Sequence, residues 1–195
     1  MDTDPQTRVD TVQAAEPVAR PNDPSLRPLR TEDATDVAAA FVSNPDMARQ
    51  GEVTNAEEAL LYIERLVDPA RAHHPWAIVD QHGVLGLVCV DVDALNRNGW
   101  FWYWMTDRSR GRGWAKRAAA TVADWALQEL GLERLELGHR VNNPASGAVA
   151  RAAGFVYEGT ERGKFLIDGH RIDVLTYGRL QTDPTPCYSP LRFIE

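Results

Sequence analysis

The stretch "RSRGRGWAKRAAA", residues 108–120, sets Arg108, Arg110, Arg112, Lys116 and Arg117 around Gly111 and Gly113, directly before an alanine-rich segment. Neither glycine carries a Cβ, so the main chain can turn sharply there and approach a ligand closely. The N–H groups of a helix's first turn have no partner inside the helix, and their partial positive charge attracts anions. Arginine adds bidentate bonds to phosphate oxygens. A diphosphate suits this combination. Two common phosphate loops do not fit: the Walker pattern needs Gly-Lys-[Ser/Thr] after a fixed spacing, and the dinucleotide pattern needs a third glycine where Lys116 stands. What remains is [Arg/Gln]-x-x-Gly-x-[Gly/Ala], met by Arg108, Gly111 and Gly113.

Other reactive side chains are sparse. Asn143 caps and Pro144 starts a short helix that Gly154 ends, and position alone gives Asn143 and Ser146 capping and first-turn roles. His139 alternates with Leu137 and Val141 on a strand, which makes it a core or edge histidine. His73 and His74 adjoin a strand start, with no metal-binding partner apparent in the sequence. Trp102, Tyr103 and Trp104 read as core and tunnel walls rather than a stacking platform for nucleic acid. Cys89 and Cys187, in an apolar run and a Pro-rich tail, support neither a disulfide framework nor a Cys-based zinc site, and fit a reducing compartment.

The elements that must position these residues follow from periodicity. Residues 1–24 lack it and read as a disordered leader. "SLRPLR" reads as an edge strand, which tolerates Pro28. "TEDATDVAAAFV" is a helix capped by Thr31, and "TNAEEALLYIERL" is a second, with Thr54 and Glu57 as a capping box. "WAIVD" and "VLGLVCVDVDA" make a hairpin. "WFWYWM" is aromatic at almost every position, which predicts a central strand covered on both faces. Residues 113–130 form a helix stopped by Gly131, and "LERLELGHRV" alternates as a strand. After the helix at Asn143, "FVYEGTERGKFLI" and "HRIDVLTYGRL" close the domain as a hairpin around a "DG" turn. Residues 25–180 form one domain, and residues 181–195 a loosely docked tail. With 195 residues, 44% hydrophobic, the chain can bury one sizeable core. Its net charge of −7 argues against a general nucleic-acid or anionic-membrane partner. No apolar run spans a bilayer and no signal peptide is apparent, so the cytoplasm is expected.

In this order of elements the chain resembles the GNAT superfamily of acyl-coenzyme A dependent N-acetyltransferases, particularly the branch of ribosomal-protein N-terminal acetyltransferases (RimJ/RimL-type). "LRPL", "YWMTDRSRGRGWAKRA" and "NNPASGAVARAAGFVYEG", followed by Asp173 and Tyr177, carry the resemblance. It implies a mixed α/β fold: a central twisted, mostly antiparallel sheet with a parallel splayed strand pair, about seven strands and about four helices. It also implies acetyl-CoA as cosubstrate and no metal. The "RSRGRG" turn would hold the coenzyme A diphosphate, with Met105, Arg108, Arg110, Gly111, Arg112, Gly113, Trp114, Ala115, Asn143 and Ser146 lining the coenzyme. Pantetheine would lie between "WFWYWM" and "LERLELGHRV". An amine would attack the thioester directly, the Met105 N–H would serve the oxyanion, and Glu158 is a candidate base. Many relatives place a thiolate-protonating tyrosine where Ala150 stands, which leaves Ser146 as the candidate acid. Residues 43–54 and 162–171 would select the acceptor. A protein α-amine needs less base than a lysine, since their reference pKa values are roughly 8 and 10.4. The alternatives are a small-molecule amine acceptor or a non-catalytic acyl-CoA binding module, and a homodimer through an edge strand or the tail stays open.

Overall fold

The computed structural model describes residues 23–195. Of the leader expected over residues 1–24, all but Asp23 and Pro24 lies outside the described residues. Asp23 pairs with Arg117 at 2.7 Å, and Pro24 is buried.

The chain runs β1 (Ser25–Pro28), α1 (Ala34–Ser43), α2 (Ala56–Val67), β2 (His73–Asp80), β3 (Gly83–Asp93), β4 (Asn98–Met105), α3 (Trp114–Gln128), β5 (Arg134–Arg140), α4 (Pro144–Ala152), β6 (Val156–Ile167), β7 (His170–Leu180) and β8 (Arg192–Phe193). All strands join one eight-stranded sheet in the order β6-β7-β5-β4-β3-β2-β1-β8. Only β4 with β5 and β1 with β8 are parallel; every other pair is antiparallel. On one face α1 and α2 bring Val37, Phe41, Ile63 and Leu66 onto Ala77, Leu87 and Trp104. On the other, α3 and α4 cover Ile78, Val88, Val90, Phe101, Leu135 and Leu137. Ala118, Ala119, Ala120, Ala123 and Ala126 of α3 are wholly buried. Such small side chains let a helix lie close against a sheet without leaving voids.

Several local expectations shift. Thr31 does not cap α1: residues Thr31–Asp33 form a 3-10 turn, and the Asp33 carboxylate accepts from the Arg30 N–H at 2.9 Å and from the Arg27 guanidinium. The box at α2 lies one residue further on. Asn55 Oδ1 accepts from the Glu58 N–H at 3.0 Å, and the Glu58 carboxylate accepts from the Thr54 N–H at 2.7 Å. Strand β1 is not an edge, because the tail folds over it: β8 pairs alongside, Leu191 is buried, and the Tyr188 hydroxyl donates to Asp124. The tail therefore supplies the eighth strand rather than docking loosely. Val141 falls beyond β5 and is exposed, and Trp100 on the central strand is 40% exposed. The closing turn of Asp168 and Gly169 has φ of 48° and 78°, both positive as a two-residue hairpin turn requires.

Candidate active site

The parallel pair β4 and β5 is joined only at one end. Asn98, Gly99 and Trp100 register with Arg134, Leu135 and Glu136, and beyond them residues 101–105 and 137–140 run without pairing to each other. A gap therefore opens at the C-terminal ends of the two strands, where loops and helix N-termini gather. One side chain closes one end of it: on the α1/α2 face the Trp100 ring lies against Gly138, where an added Cβ would stand 3.1 Å from it.

The main chain of β4 aims donors into this gap. The Thr106 N–H donates to the Leu85 carbonyl at 2.9 Å, and Met105 faces Gly86 across β3. Successive N–H groups of a strand point to opposite neighbours, so the Met105 N–H points away from β3 and toward the missing part of β5. A donor fixed in the sheet is pre-organised for a carbonyl oxygen that gains charge.

The loop after β4 is anchored from beneath. The Ser109 hydroxyl, 2% exposed, donates to the Leu85 carbonyl at 2.7 Å, and Asn44 Nδ2 donates to Asp107 at 3.0 Å. Above this anchor Gly111 and Gly113 have φ of 75° and 78°, in the left-handed region that favours glycine. A Cβ on either would meet no atom within 4 Å, so the space beside the loop is open. The first backbone bond of α3 runs from the Arg117 N–H to the Gly113 carbonyl at 3.3 Å. Among the described residues no acceptor faces the N–H groups of Gly111, Arg112, Gly113, Trp114, Ala115 and Lys116. Consecutive outward N–H groups of this kind form an anion cradle.

The arginines contribute less uniformly than their spacing suggests. Arg108 donates to the Val84 carbonyl at 3.2 Å, which ties the loop to the β2–β3 turn and leaves its charge uncompensated. Arg110 pairs with Asp107 at 3.1 Å. Arg117 bridges Asp23 and the Ser189 carbonyl, so it fastens the segment before β1 to the segment before β8. The Arg112 guanidinium lies over the Trp114 ring at 4.8 Å, and Lys116 is exposed.

On the α3/α4 face the gap is roofed by the N-terminus of α4. Asn143 Oδ1 accepts from the Ser146 N–H at 3.2 Å, as a cap should. Against β5, α4 packs through Gly147, where a Cβ would stand 2.7 Å from His139 Nε2. His139 is buried, stacked on Tyr177, with Nδ1 on the Arg140 carbonyl at 2.8 Å, which fits the core assignment. Against β4, the Tyr103 hydroxyl meets Ser146 Oγ at 2.6 Å. Burial pushes the Tyr103 phenol up to about 12, with the serine hydrogen bond pulling the other way. Ala150 is fully buried in the core, so nothing at that position reaches the gap.

Glu158 is the expected site residue that the fold takes elsewhere. Its carboxylate receives both terminal nitrogens of Arg134, at 2.8 and 2.5 Å, and this guanidinium holds it below the usual carboxylate range. Arg134 begins β5 at the closed end of the β4/β5 pair, opposite the gap. The structure thus does not bring this carboxylate together with Met105 and Ser146 at the gap. His73 does have partners: Nδ1 lies 2.6 Å from Asp91 Oδ1, Asp91 Oδ2 accepts from Trp102 Nε1 at 2.8 Å, and buried Cys89 is adjacent. Three ligating atoms thus come within 4.8 Å of one another. The separation of His73 and Asp91 is that of a hydrogen bond, and the group clips β2, β3 and β4 together.

The family model for the acetyltransferase (GNAT) domain matches residues 25–156, most of the chain and all of the gap, cradle and roof just described. The chain belongs to the GNAT acetyltransferase family. It is 25% identical over 170 residues to the putative ribosomal N-acetyltransferase YdaF of Bacillus subtilis (strain 168), covering 82% of this chain and 92% of that one. Among solved structures, the ribosomal-protein-S5-alanine acetyltransferase from Vibrio fischeri matches with a TM-score of 0.70 at 23% identity, over 81% of this chain and 93% of that one. The RimL ribosomal L7/L12 alpha-N-protein acetyltransferase in complex with coenzyme A matches at 0.72 and 21%, over 80% and 92%. Spermidine/spermine N-acetyltransferase SpeG from Vibrio cholerae matches at 0.69 and 21%, over 82% and 96%. As a GNAT acetyltransferase this chain is an acetyl-CoA dependent acyltransferase, built on the mixed sheet that the family shares. Among the described residues no helix is long and apolar enough to cross a membrane.

Proposed function

We propose that this GNAT enzyme acetylates the α-amine at the N-terminus of a protein, with the coenzyme diphosphate on the cradle of residues 111–116 and the thioester beside Met105. The unpaired N–H groups of residues 111–116, together with the Met105 N–H that faces the β4/β5 gap, carry this reading. The residues fit the cosubstrate: the cradle is open where a Cβ would project, and its donors have no protein partner. Acetyl-CoA would supply the activated acyl group. The chain would supply a fixed donor at Met105 for the carbonyl oxygen and Ser146 beside the leaving sulfur, with the two strands of the gap holding amine and thioester in register.

Two lines support the α-amine. Relatives named for ribosomal proteins and for alpha-N-protein acetylation share the fold over most of their length. Glu158, the carboxylate expected to act as base, is bound to Arg134, and an α-amine is partly neutral at neutral pH without one. A cytoplasmic location goes with this acceptor and with the unpaired Cys89 and Cys187. The test is thiol release from acetyl-CoA with peptides carrying free α-amines, with N-blocked lysine peptides and with spermidine. The highest kcat/KM is expected for free α-amines. Turnover confined to spermidine would move the assignment to small amines, and coenzyme binding without thiol release would leave a binding module.

A further inference from the structure

Ser146 alone is an incomplete device. A serine hydroxyl has one proton and rotates freely, so nothing intrinsic aims that proton at a departing sulfur. We propose that Tyr103 is a positioning residue for the thiol-leaving side of the reaction, its phenol holding the Ser146 hydroxyl as a hydrogen-bond donor toward the sulfur. This role rests on the acetyl-transfer reading above.

The geometry supplies the argument. Tyr103 stands on β4 within its unpaired stretch, two residues before Met105 on the same strand side, hence about 7 Å from it. Ser146 stands in the first turn of α4, across the gap. Their hydroxyls meet at 2.6 Å, whereas the Ser146 carbonyl lies further from the phenol, at 3.2 Å. The hydroxyl pair can bond either way round; the proposed role takes the phenol, the stronger acid, as donor and Ser146 Oγ as acceptor. The Ser146 proton is then directed away from Tyr103, to a third atom. Burial keeps the phenol protonated through the working range, so its role as donor does not lapse. The Ser146 N–H is already taken by Asn143, which leaves the hydroxyl as that residue's free donor. Two further tyrosines of this face are occupied: Tyr177 is buried and engaged by Arg151 and His139 at 3.4 Å each, and Tyr188 donates to Asp124.

In the step this serves, the amine nitrogen forms its bond to the acyl carbon and the C–S bond breaks with its electron pair going to sulfur. The Ser146 O–H hydrogen-bonds to that thiolate as charge develops. The attacking nitrogen gives its surplus proton to water and the thiolate takes one from water, so Tyr103 remains a phenol throughout. Position 150, an alanine sealed in the core, has no part in it.

The test compares Tyr103→Phe, Ser146→Ala and the double variant by thiol release from acetyl-CoA with the best peptide of the amine panel. Tyr103→Phe is expected to lower kcat about 10-fold or more, the effect of one hydrogen bond to a charged group, while KM for acetyl-CoA stays within about two-fold. Adding Ser146→Ala to Tyr103→Phe should lower kcat little further, because the two act as one unit. Multiplicative losses, or a raised KM with kcat intact, would overturn the role. Should Tyr103→Phe fold poorly, 3-fluorotyrosine at position 103 keeps the shape with a more acidic phenol. It should move the alkaline limb of kcat to lower pH, and an unmoved limb would also overturn the role. Wild-type protein that binds acetyl-CoA yet releases no thiol with any amine refutes acetyl transfer itself, and this role with it. An active wild type with an unaffected Tyr103→Phe refutes the role alone.

Discussion

Gly113→Ala separates the cost of backbone strain from the cost of lost ligand contact. Gly113 caps α3 with φ of 78° and ψ of −2°, and alanine in that left-handed conformation costs about 1 kcal/mol. For a chain of this size that should lower Tm by roughly 2–4 °C. A Cβ at Gly113 meets no protein atom within 4 Å, so it enters the space above the cradle instead of clashing with the fold. If a phosphate oxygen sits there, the methyl group would separate it from one N–H donor, worth about 1.5–3 kcal/mol for a charged acceptor. The Kd for acetyl-CoA should then rise about 10- to 100-fold. Gly131→Ala is the matched control: φ there is 66°, a Cβ again meets nothing within 4 Å, and the residue ends α3 far from the cradle. Titration calorimetry and thermal melts on both variants decide. Equal Tm losses with a weakened Kd only for Gly113→Ala support the cradle. Equal Tm losses with both Kd values unchanged would refute it.

Glu158→Gln should leave kcat within about two-fold of wild type and cost under about 1 kcal/mol of stability, since its pair with Arg134 is largely exposed; a ten-fold fall in steady-state kcat would restore it as the base. Arg179→Met should be severe, about 3–5 kcal/mol in urea unfolding, because Arg179 is 2% exposed, bonds the Ala153 carbonyl at 2.9 Å, and is the ion-pair partner of partly buried Asp124. Burial raises both the Cys89 thiol, ordinarily near 9.0, and the Tyr103 phenol, ordinarily near 10.0, so the folded state prefers their neutral forms. Their contribution is whole below the unfolded values and is lost as pH rises toward the folded ones. Chemical denaturation should therefore show stability falling from about pH 9 toward pH 12, and Cys89→Ala should remove the earlier part of that fall.

What could be read from the sequence divides by the reach of each interaction. The glycine loop and the start of α3 are local, and Gly111, Gly113 and Asn143 do what their spacing predicts. The cap of α2 was legible in kind but not in register, since Thr54, Asn55, Glu57 and Glu58 offer two overlapping boxes and only the folded geometry selects Asn55 with Glu58. The tail looked unattached because β8 has only Arg192 and Phe193, too short for any periodicity; its place depends on Leu191 and Tyr188 finding α3. Glu158 was misplaced for the same reason: its partner Arg134 lies on another strand, and no pattern in "FVYEG" points to it. His73 and Asp91 are likewise joined only across strands.

Tyr103 shows why the site itself was the hardest part to read. In an aromatic run every ring looks like core, and what distinguishes this one is a serine that the chain delivers only after α3 and β5 have been laid down. The cradle is different in kind. Main-chain N–H groups need no side chain to be ordered on binding, so their cost is met when α3 folds. The flanking arginines are then free for scaffold work, and the structure uses them so: Arg108 on the β2–β3 turn, Arg110 on Asp107, Arg117 on Asp23 and the segment before β8. In a chain of net charge −7, the proposed recognition of a diphosphate by this loop would rest mainly on oriented dipoles, supported by the uncompensated charges of Arg108, Arg112 and Lys116.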